Sequence, residues 1–252
     1  MVKLNINSKY LLLFSFVYIS QLYLVIDITI NEIFSYFSNI TLKIEKSGNF
    51  KILGDYYKGP LPDEIYINEV KQNEIRHNYE FEETNNTIKL IWYNNINTTK
   101  CMFNGCSDIN NFDFSQFDTS QIISMGTMFA DCSSISSLNL SNFITTNVQG
   151  MFSMFSGCSS LISLDLQNFN TSQVTSMYSM FYHCSSLISF NLSNFDTSKV
   201  TYMHYMFSGC SSLKLLNLSN WVISSLTDYS NILSGCDSLI IVYLPYSPSI
   251  TF

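Results

Sequence analysis

The segment Met154–Met177 reads MFSGCSSLISLDLQNFNTSQVTSM, and the segment Met180–Met203, 26 residues further on, reads MFYHCSSLISFNLSNFDTSKVTYM. The same step separates six cysteines, which are Cys106, Cys132, Cys158, Cys184, Cys210 and Cys236. Phenylalanines repeat in register with them, at Phe103, Phe129, Phe155, Phe181 and Phe207. A repeat of this length is typical of an array whose units stack and bury their apolar sides against each other.

Each 26-residue unit, which we call a rung, contains two patterns. Apolar residues of Val174–Cys184 recur every third or fourth position, and this spacing predicts an amphipathic helix. In Leu187–Phe195 apolar and polar residues alternate briefly, which predicts a short strand. The sequence therefore predicts the α/β class, as a short leucine-rich-repeat-like solenoid of six 26-residue rungs with a parallel sheet on one side and helices on the other.

The motifs MF-x-x-C-S-S-L and N-F-D-T-S resemble the 26-residue surface-protein repeat of the BspA-like leucine-rich-repeat family. The resemblance extends over roughly residues 101–244. It implies adhesion or contact with other cells and matrix. It implies no catalytic residues and no cofactor, because the family has no common catalytic set.

The N-terminal sequence indicates that the protein is exported. Lys3 and Lys9 precede the apolar run Tyr10–Ile26, which is the layout of a secretory signal peptide. The run is also just long enough for a membrane-spanning helix, so residues 1–30 are predicted to be a signal peptide or a membrane anchor. A buried element of the first domain is the third possibility. The predicted location is extracellular or at the cell surface, with membrane contact only through residues 10–26 if they are not cleaved.

Residues 31–100 differ in composition from the repeats and are predicted to be a β-rich N-terminal capping module. Ile40–Ile44 and Phe50–Leu53 flank Ser47-Gly48-Asn49, which predicts a hairpin. Residues 101–252 are then the repeat solenoid. A solenoid needs its terminal units covered, and the module is placed to cover the first rung.

Charge argues against nucleic acid as a partner. The chain of 252 residues has 12 Lys and Arg against 19 Asp and Glu, for a net charge of −7. No basic face is available to neutralise phosphates. The predicted partner is a protein or another cell-surface ligand.

The cysteine column admits three interpretations. Free cysteines pack as small apolar residues, and this is the interpretation that their place in the apolar stripe favours. Disulfides between rungs, or between Cys101 and Cys106, would suit an exported protein. A metal site would need several converging ligands, whereas the column supplies one thiol per rung. The column and Phe129, Phe155, Phe181 and Phe207 are thus the predicted structural core of the repeat, and no metal, cofactor or catalytic residue is predicted.

The outward positions of the predicted strands form the candidate binding face. Its residues are Asp113, Asn139, Asp165, Asn191 and Asn217, with Leu215, Ile241 and Tyr243 at the apolar C-terminal end. The face is either a merely solvated surface or a ligand-binding one, since solenoids often bind through their sheets. The predicted function is non-catalytic protein–protein or cell-surface contact, and the alternative is a structural coat or spacer component without a specific ligand.

Overall fold

The computed structural model describes residues 37–244, and this part of the chain contains strands and turns but no helix. Its strands are β1 (Ser38–Ile44), β2 (Gly48–Lys51), β3 (Glu64–Ile67), β4 (Val70–Lys71), β5 (Asn78–Phe81), β6 (Asn86–Trp92), β7 (Asn111–Asp113), β8 (Ser189–Asn191), β9 (Leu215–Asn217) and β10 (Ile241–Tyr243). They form a five-stranded sheet in the order β4-β3-β6-β1-β7, a three-stranded sheet β10-β9-β8 and the pair β2-β5.

The predicted α/β leucine-rich-repeat solenoid with helices is therefore wrong. Within Val174–Cys184 the amides of Met180 and Cys184 bond to carbonyls three residues earlier, which closes tight turns. The amides of Ser179 and Phe181 donate instead to carbonyls of the next rung, at 2.9 Å each. Ser179 and His183 have φ angles of 53° and 55°. Left-handed residues at these two places prevent a right-handed helix.

The rungs stack side by side through these turns. We number them one to six by their cysteines, from Cys106 to Cys236. A line of parallel bridges crosses the stack and joins Thr98, Ser124, Gly150, Ser176, Tyr202 and Asp228 in that order. Turn formation uses some backbone amides of each rung and the stack uses others, so the polar backbone is satisfied without helices.

The predicted parallel sheet is also only partly present. β8, β9 and β10 pair in parallel, with Ser189 opposite Leu215 and Leu215 opposite Ile241. β7, the strand of the first rung, pairs antiparallel with β1 instead. The corresponding segments of the second and third rungs, residues 137–139 and 163–165, form no strand.

The core of the stack consists of the recurring Phe, Met, Leu and Cys columns. The rings of Phe129, Phe155, Phe181 and Phe207 are fully buried, and consecutive centroids lie 5.6 Å apart. Cys106, Cys132, Cys158, Cys184 and Cys210 are fully buried beside them, and Cys236 in the last rung is half-buried. Burial of each phenylalanine contributes about 1.5–3 kcal/mol, so neighbouring rungs stabilise one another.

The N-terminal module shares a sheet with the first rung. β1 lies between β6 and β7 and pairs antiparallel with both, with Leu42 opposite Ile88 on one side and Phe112 on the other. The predicted hairpin is wrong, because β1 does not pair with β2, whose partner is β5. β3 and β4 lie between β2 and β5 in the chain, and β1 pairs with the later β6, so the module is held together by distant pairings.

The predicted signal peptide or anchor, residues 1–30, lies outside the described residues. Within residues 37–244 no helix is long and apolar enough to cross a membrane.

Candidate functional site

The polar column of the candidate binding face lies at or near the surface and has a local structural task. The Oδ1 atom of each side chain accepts a hydrogen bond from the amide two residues on, at 2.9 to 3.2 Å. These residues are Asp113, Asn139, Asp165, Asn191 and Asn217. Asp and Asn are favoured at such Asx-turns because their short side chains reach that amide. Turn geometry therefore accounts for the recurrence of Asp and Asn in this column.

One end of the face is concave. A hollow of about 470 Å³ lies between β1 and the first two rungs, and Asp113 and Asn139 line it together with Thr41, Lys43 and Asn142. Thr41 pairs with Asp113 across the strands. One basic and one acidic residue, Lys43 and Asp113, thus line the same hollow. The hollow offers hydrogen bonds to a small polar ligand, but it presents no exposed aromatic ring.

The apolar residues predicted for the face lie together at the other end. Leu215 of β9 is opposite Ile241 of β10, and Tyr243 is opposite Asn217. Ile241 and Tyr243 are 43% and 51% exposed, whereas Leu215 is half-buried. This corner is a modest apolar surface on an otherwise polar face.

The thiols form a ladder of hydrogen bonds inside the stack. Each thiol from the second rung onward donates to the carbonyl oxygen of a phenylalanine in the preceding rung, as Cys158 Sγ does to Phe129 O at 3.1 Å. The equivalent donors are Cys132, Cys184, Cys210 and Cys236, at 3.0 or 3.1 Å. All seven cysteines are free, including Cys101 and Cys106. The column is thus a packing and hydrogen-bonding element, and it contains no disulfide.

Burial opposes ionisation of these thiols. It raises the pKa of Cys132, Cys158 and Cys184 well above the usual value and that of Cys210 to about 12. Because the thiolate is the nucleophile and the metal ligand, a buried neutral thiol is suited to neither role. In residues 37–244 no three His, Cys, Asp or Glu side chains converge as a metal site would require.

A column of rings on the outer side of the turns escaped the sequence analysis. Phe152, Tyr178 and His204 stack on one another from rung to rung, with centroids 5.1 and 5.0 Å apart. Lys100 Nζ lies 5.2 Å from the centre of the Phe152 ring, across the intervening Gly126. A Cβ atom on Gly126 would lie 2.5 Å from Phe152 Cζ, so the glycine gives the ring its space.

Further rings surround His204. Tyr202 and Tyr205 stand at 81° and 86° to the imidazole, with centroids 6.4 and 5.9 Å away. Both tyrosines are exposed, at 48% and 41%. Asp228 Oδ2 lies 3.1 Å from His204 Nδ1, although the two atoms are not aligned for a hydrogen bond. The contact places a carboxylate at the edge of the rings.

The rings continue into the fourth rung. Tyr182 packs edge-on against Tyr205 at 6.3 Å and against His183 at 4.2 Å. His183 is exposed, as its place in the Gly157 and Gly209 column predicts. We call the six side chains of the fourth and fifth rungs the aromatic cluster: Tyr178, Tyr182, His183, Tyr202, His204 and Tyr205.

The repeat itself contains the signal that locates this cluster. The positions equivalent to Tyr202 in the preceding rungs are Ser124, Gly150 and Ser176, and those equivalent to Tyr205 are Thr127, Ser153 and Ser179. Small residues therefore satisfy the fold at both places. A comparison of exposed columns would have singled out these tyrosines, whereas a search for strand-face residues did not.

The stacked rungs and their buried ladders define a repeat protein built from turns. The chain belongs to the family described as "Mycoplasma protein of unknown function, DUF285", which matches residues 73–187 and 160–241, together more than half of the chain. This is a repeat-containing family, and the match does not specify the BspA-like repeat. No curated protein and no solved structure matches the chain.

Proposed function

We propose that this chain is a non-catalytic, exported surface protein that mediates protein–protein or cell-surface contact through its stacked rungs. The observation that carries the proposal is the exposure of large side chains in the last two rungs that the repeat does not need. They are Tyr202, Tyr205, Tyr229, Ile241 and Tyr243. Exposed tyrosines are enriched where proteins bind other proteins, because they bury much area at little entropic cost.

Two further observations support the proposal. The resemblance of the repeat to BspA-like surface proteins favours an adhesion-like role, and the apolar run Tyr10–Ile26 after Lys3 and Lys9 favours export. The column thiols are enclosed by neighbouring rungs, and burial raises their pKa well above the usual value, which does not favour them as nucleophiles. This supports a role that the surface of the protein carries.

The alternative proposal is a structural coat or spacer component. It is favoured by the Asx-turns, because Asp113, Asn139 and Asp165 recur for a reason that involves no ligand. A spacer would need only the stack and a solvated exterior.

Binding of the purified full chain to intact cells and to immobilised matrix proteins tests the choice. Contact through a recognised partner predicts saturable binding that excess unlabelled protein displaces. The double variant Leu215→Ser and Tyr243→Ser separates the C-terminal corner from the rest of the surface, with Ser163→Ala as a neutral strand-face control. Absence of saturable binding to every surface would contradict the contact function and favour the spacer.

A further inference from the structure

We infer that the aromatic cluster is a docking surface for a protein partner that inserts an arginine or lysine side chain among its rings. This inference rests on the proposed contact function and names the surface and the chemistry of its partner. It is independent of the strand face and of the C-terminal corner formed by Leu215, Ile241 and Tyr243.

The first argument is that the fold does not require the cluster. The positions of Tyr202 and Tyr205 hold only Ser, Thr or Gly in the second to fourth rungs, and those rungs stack with the same bridges. His183 adopts a φ of 55°, and the equivalent Gly157 and Gly209 adopt 74° and 78°. The left-handed conformation is part of the turn in every rung, and glycine occupies the position in most rungs, so the turn does not require the histidine side chain.

The second argument is the arrangement of the rings. Tyr202 and Tyr205 are nearly perpendicular to the imidazole of His204, which itself stacks on Tyr178. Three rings thus lie beside one another, and the two tyrosines among them are exposed to solvent. Exposed aromatic rings bind cations, because the electron-rich ring faces attract positive charge.

The third argument is charge. Asp228 borders His204, and hydrogen bonds from the amide and hydroxyl of Ser230 hold the pKa of this carboxyl below its usual value. The cluster therefore has a carboxylate at its rim in a chain whose net charge is −7. None of the ion pairs between residues 37 and 244 brings a lysine or arginine to the cluster.

The same column of rings already binds a cation elsewhere. Lys100 lies over Phe152, two stacking steps from His204 along the column Phe152, Tyr178, His204. The protein thus fills the first end of the column with its own ammonium group. Beyond His204 the column continues with the small residue Ser230, and the exposed rings of Tyr202 and Tyr205 beside the imidazole are where a partner's cation would lie.

Titration of the full chain with the peptide acetyl-Gly-Arg-Gly-amide tests the inference. The matched probe replaces arginine by citrulline, which has nearly the same shape and no charge. With isotope-labelled tyrosine and histidine, the arginine peptide is expected to shift the ring resonances of Tyr202, Tyr205 and His204, and the citrulline peptide to bind at least about fivefold more weakly. Equal affinity for the two peptides would overturn the inference.

Variants separate ring recognition from general attraction to an acidic chain. Tyr202→Ala with Tyr205→Ala is expected to weaken arginine-peptide binding about tenfold, and Asp228→Asn several-fold. Glu82→Gln changes the net charge by the same amount at an exposed position of the N-terminal module and is expected to leave the affinity unchanged. Equal losses for Asp228→Asn and Glu82→Gln would show non-specific attraction and refute the site.

Cell binding distinguishes failure of this inference from failure of the contact function. If the wild-type chain binds cells saturably and the double tyrosine variant binds equally well, the contact function stands and the cluster is not its surface. If the wild-type chain binds no surface saturably, the contact function itself fails. Displacement of cell binding by a neutral oligosaccharide, with no effect of the arginine peptide, would assign the cluster to sugars and overturn the inference.

Discussion

The inner and outer sides of the same turns follow opposite rules. On the inner side Phe129, Phe155 and Phe181 repeat without change, each between two like rings. On the outer side the column that contains Phe152 changes in every rung, through Lys100, Gly126, Phe152, Tyr178, His204 and Ser230. The backbone is the same in both cases. The difference is that an inner side chain is enclosed between the side chains of two adjacent rungs, whereas an outer side chain contacts them on one side only.

The difference teaches where to look for function in a stacked repeat. An inner side chain packs against two rungs, so its size is fixed by its neighbours. An outer side chain has solvent on one side and can change without disturbing the stack. Recurrence in this protein therefore reflects packing, and departure from recurrence on the exposed side marks the residues that packing does not fix.

The largest expected effect concerns the pH dependence of the inner thiols. Burial raises the pKa of Cys132, Cys158 and Cys184 above the unfolded value of about 8.5, so the folded thiols keep protons that the unfolded chain releases. The contribution of the protonated thiols to the free energy of unfolding is therefore fully present below the unfolded pKa and decreases as the pH rises above it. Cys106 and Cys210 are buried in the same way, so the loss at pH 9.5 is on the order of 1 kcal/mol per thiol and several kcal/mol for the five together.

Urea unfolding between pH 7.5 and 9.5 measures this dependence. Cys184→Ala removes one titrating thiol, and its stability is expected to fall less steeply with pH than that of the wild type, by about one proton. A free energy of unfolding that stays level up to pH 9.5 would show that the thiols are not buried as described.

The next largest effect concerns the ring stack. Phe155→Ala removes a fully buried ring that lies 5.6 Å from both Phe129 and Phe181, and is expected to cost about 3–5 kcal/mol of unfolding free energy. Tyr202→Ala on the outer side is the matched control, with an expected cost of about 0.5 kcal/mol or less. Chemical denaturation of both variants measures the contrast, and similar losses would abolish the distinction between the two sides.

The smallest effect concerns the strained histidine. His183→Gly is expected to stabilise the fold by about 0.5–1 kcal/mol, because glycine adopts the observed φ of 55° without steric cost. The reverse change at an equivalent position, Gly157→Ala, is expected to destabilise, since its Cβ would lie 2.3 Å from Asp131 Oδ1. Thermal unfolding compares the two, and a destabilised His183→Gly would mean that the imidazole stabilises the fold.

The repeat period and the buried columns were readable from the sequence, but the helices were not correctly predicted. Val174, Met177, Met180 and Cys184 have the spacing of a helix face, and steps of three also match successive turns closed by i to i−3 hydrogen bonds. Whether the segment forms a helix or successive turns depends on the amides that bond to the next rung. These hydrogen bonds join residues about 25 positions apart. Local periodicity contains no information about them.

The candidate site shows a similar limit. The sequence placed Asp113 and Asn139 on a solvent-facing column, but their Asx-turns depend on backbone geometry that the column pattern did not reveal. The aromatic cluster depends on contacts between rungs, as between Tyr182 and Tyr205. Its residues are separated in the chain, and only the stacking brings them together.

The antiparallel pairing of β1 with β7 makes the first end of the array different from every later junction between rungs. Every later junction between rungs repeats the same set of backbone hydrogen bonds between turns. A duplicated stretch of 26 residues placed at such a junction could therefore form the same bonds to the rungs on both sides. A duplicate placed between β1 and β7 would have to satisfy an antiparallel strand on one flank and a parallel rung on the other. Growth of this protein by duplication is therefore expected among the later rungs, while the first remains fixed to its module.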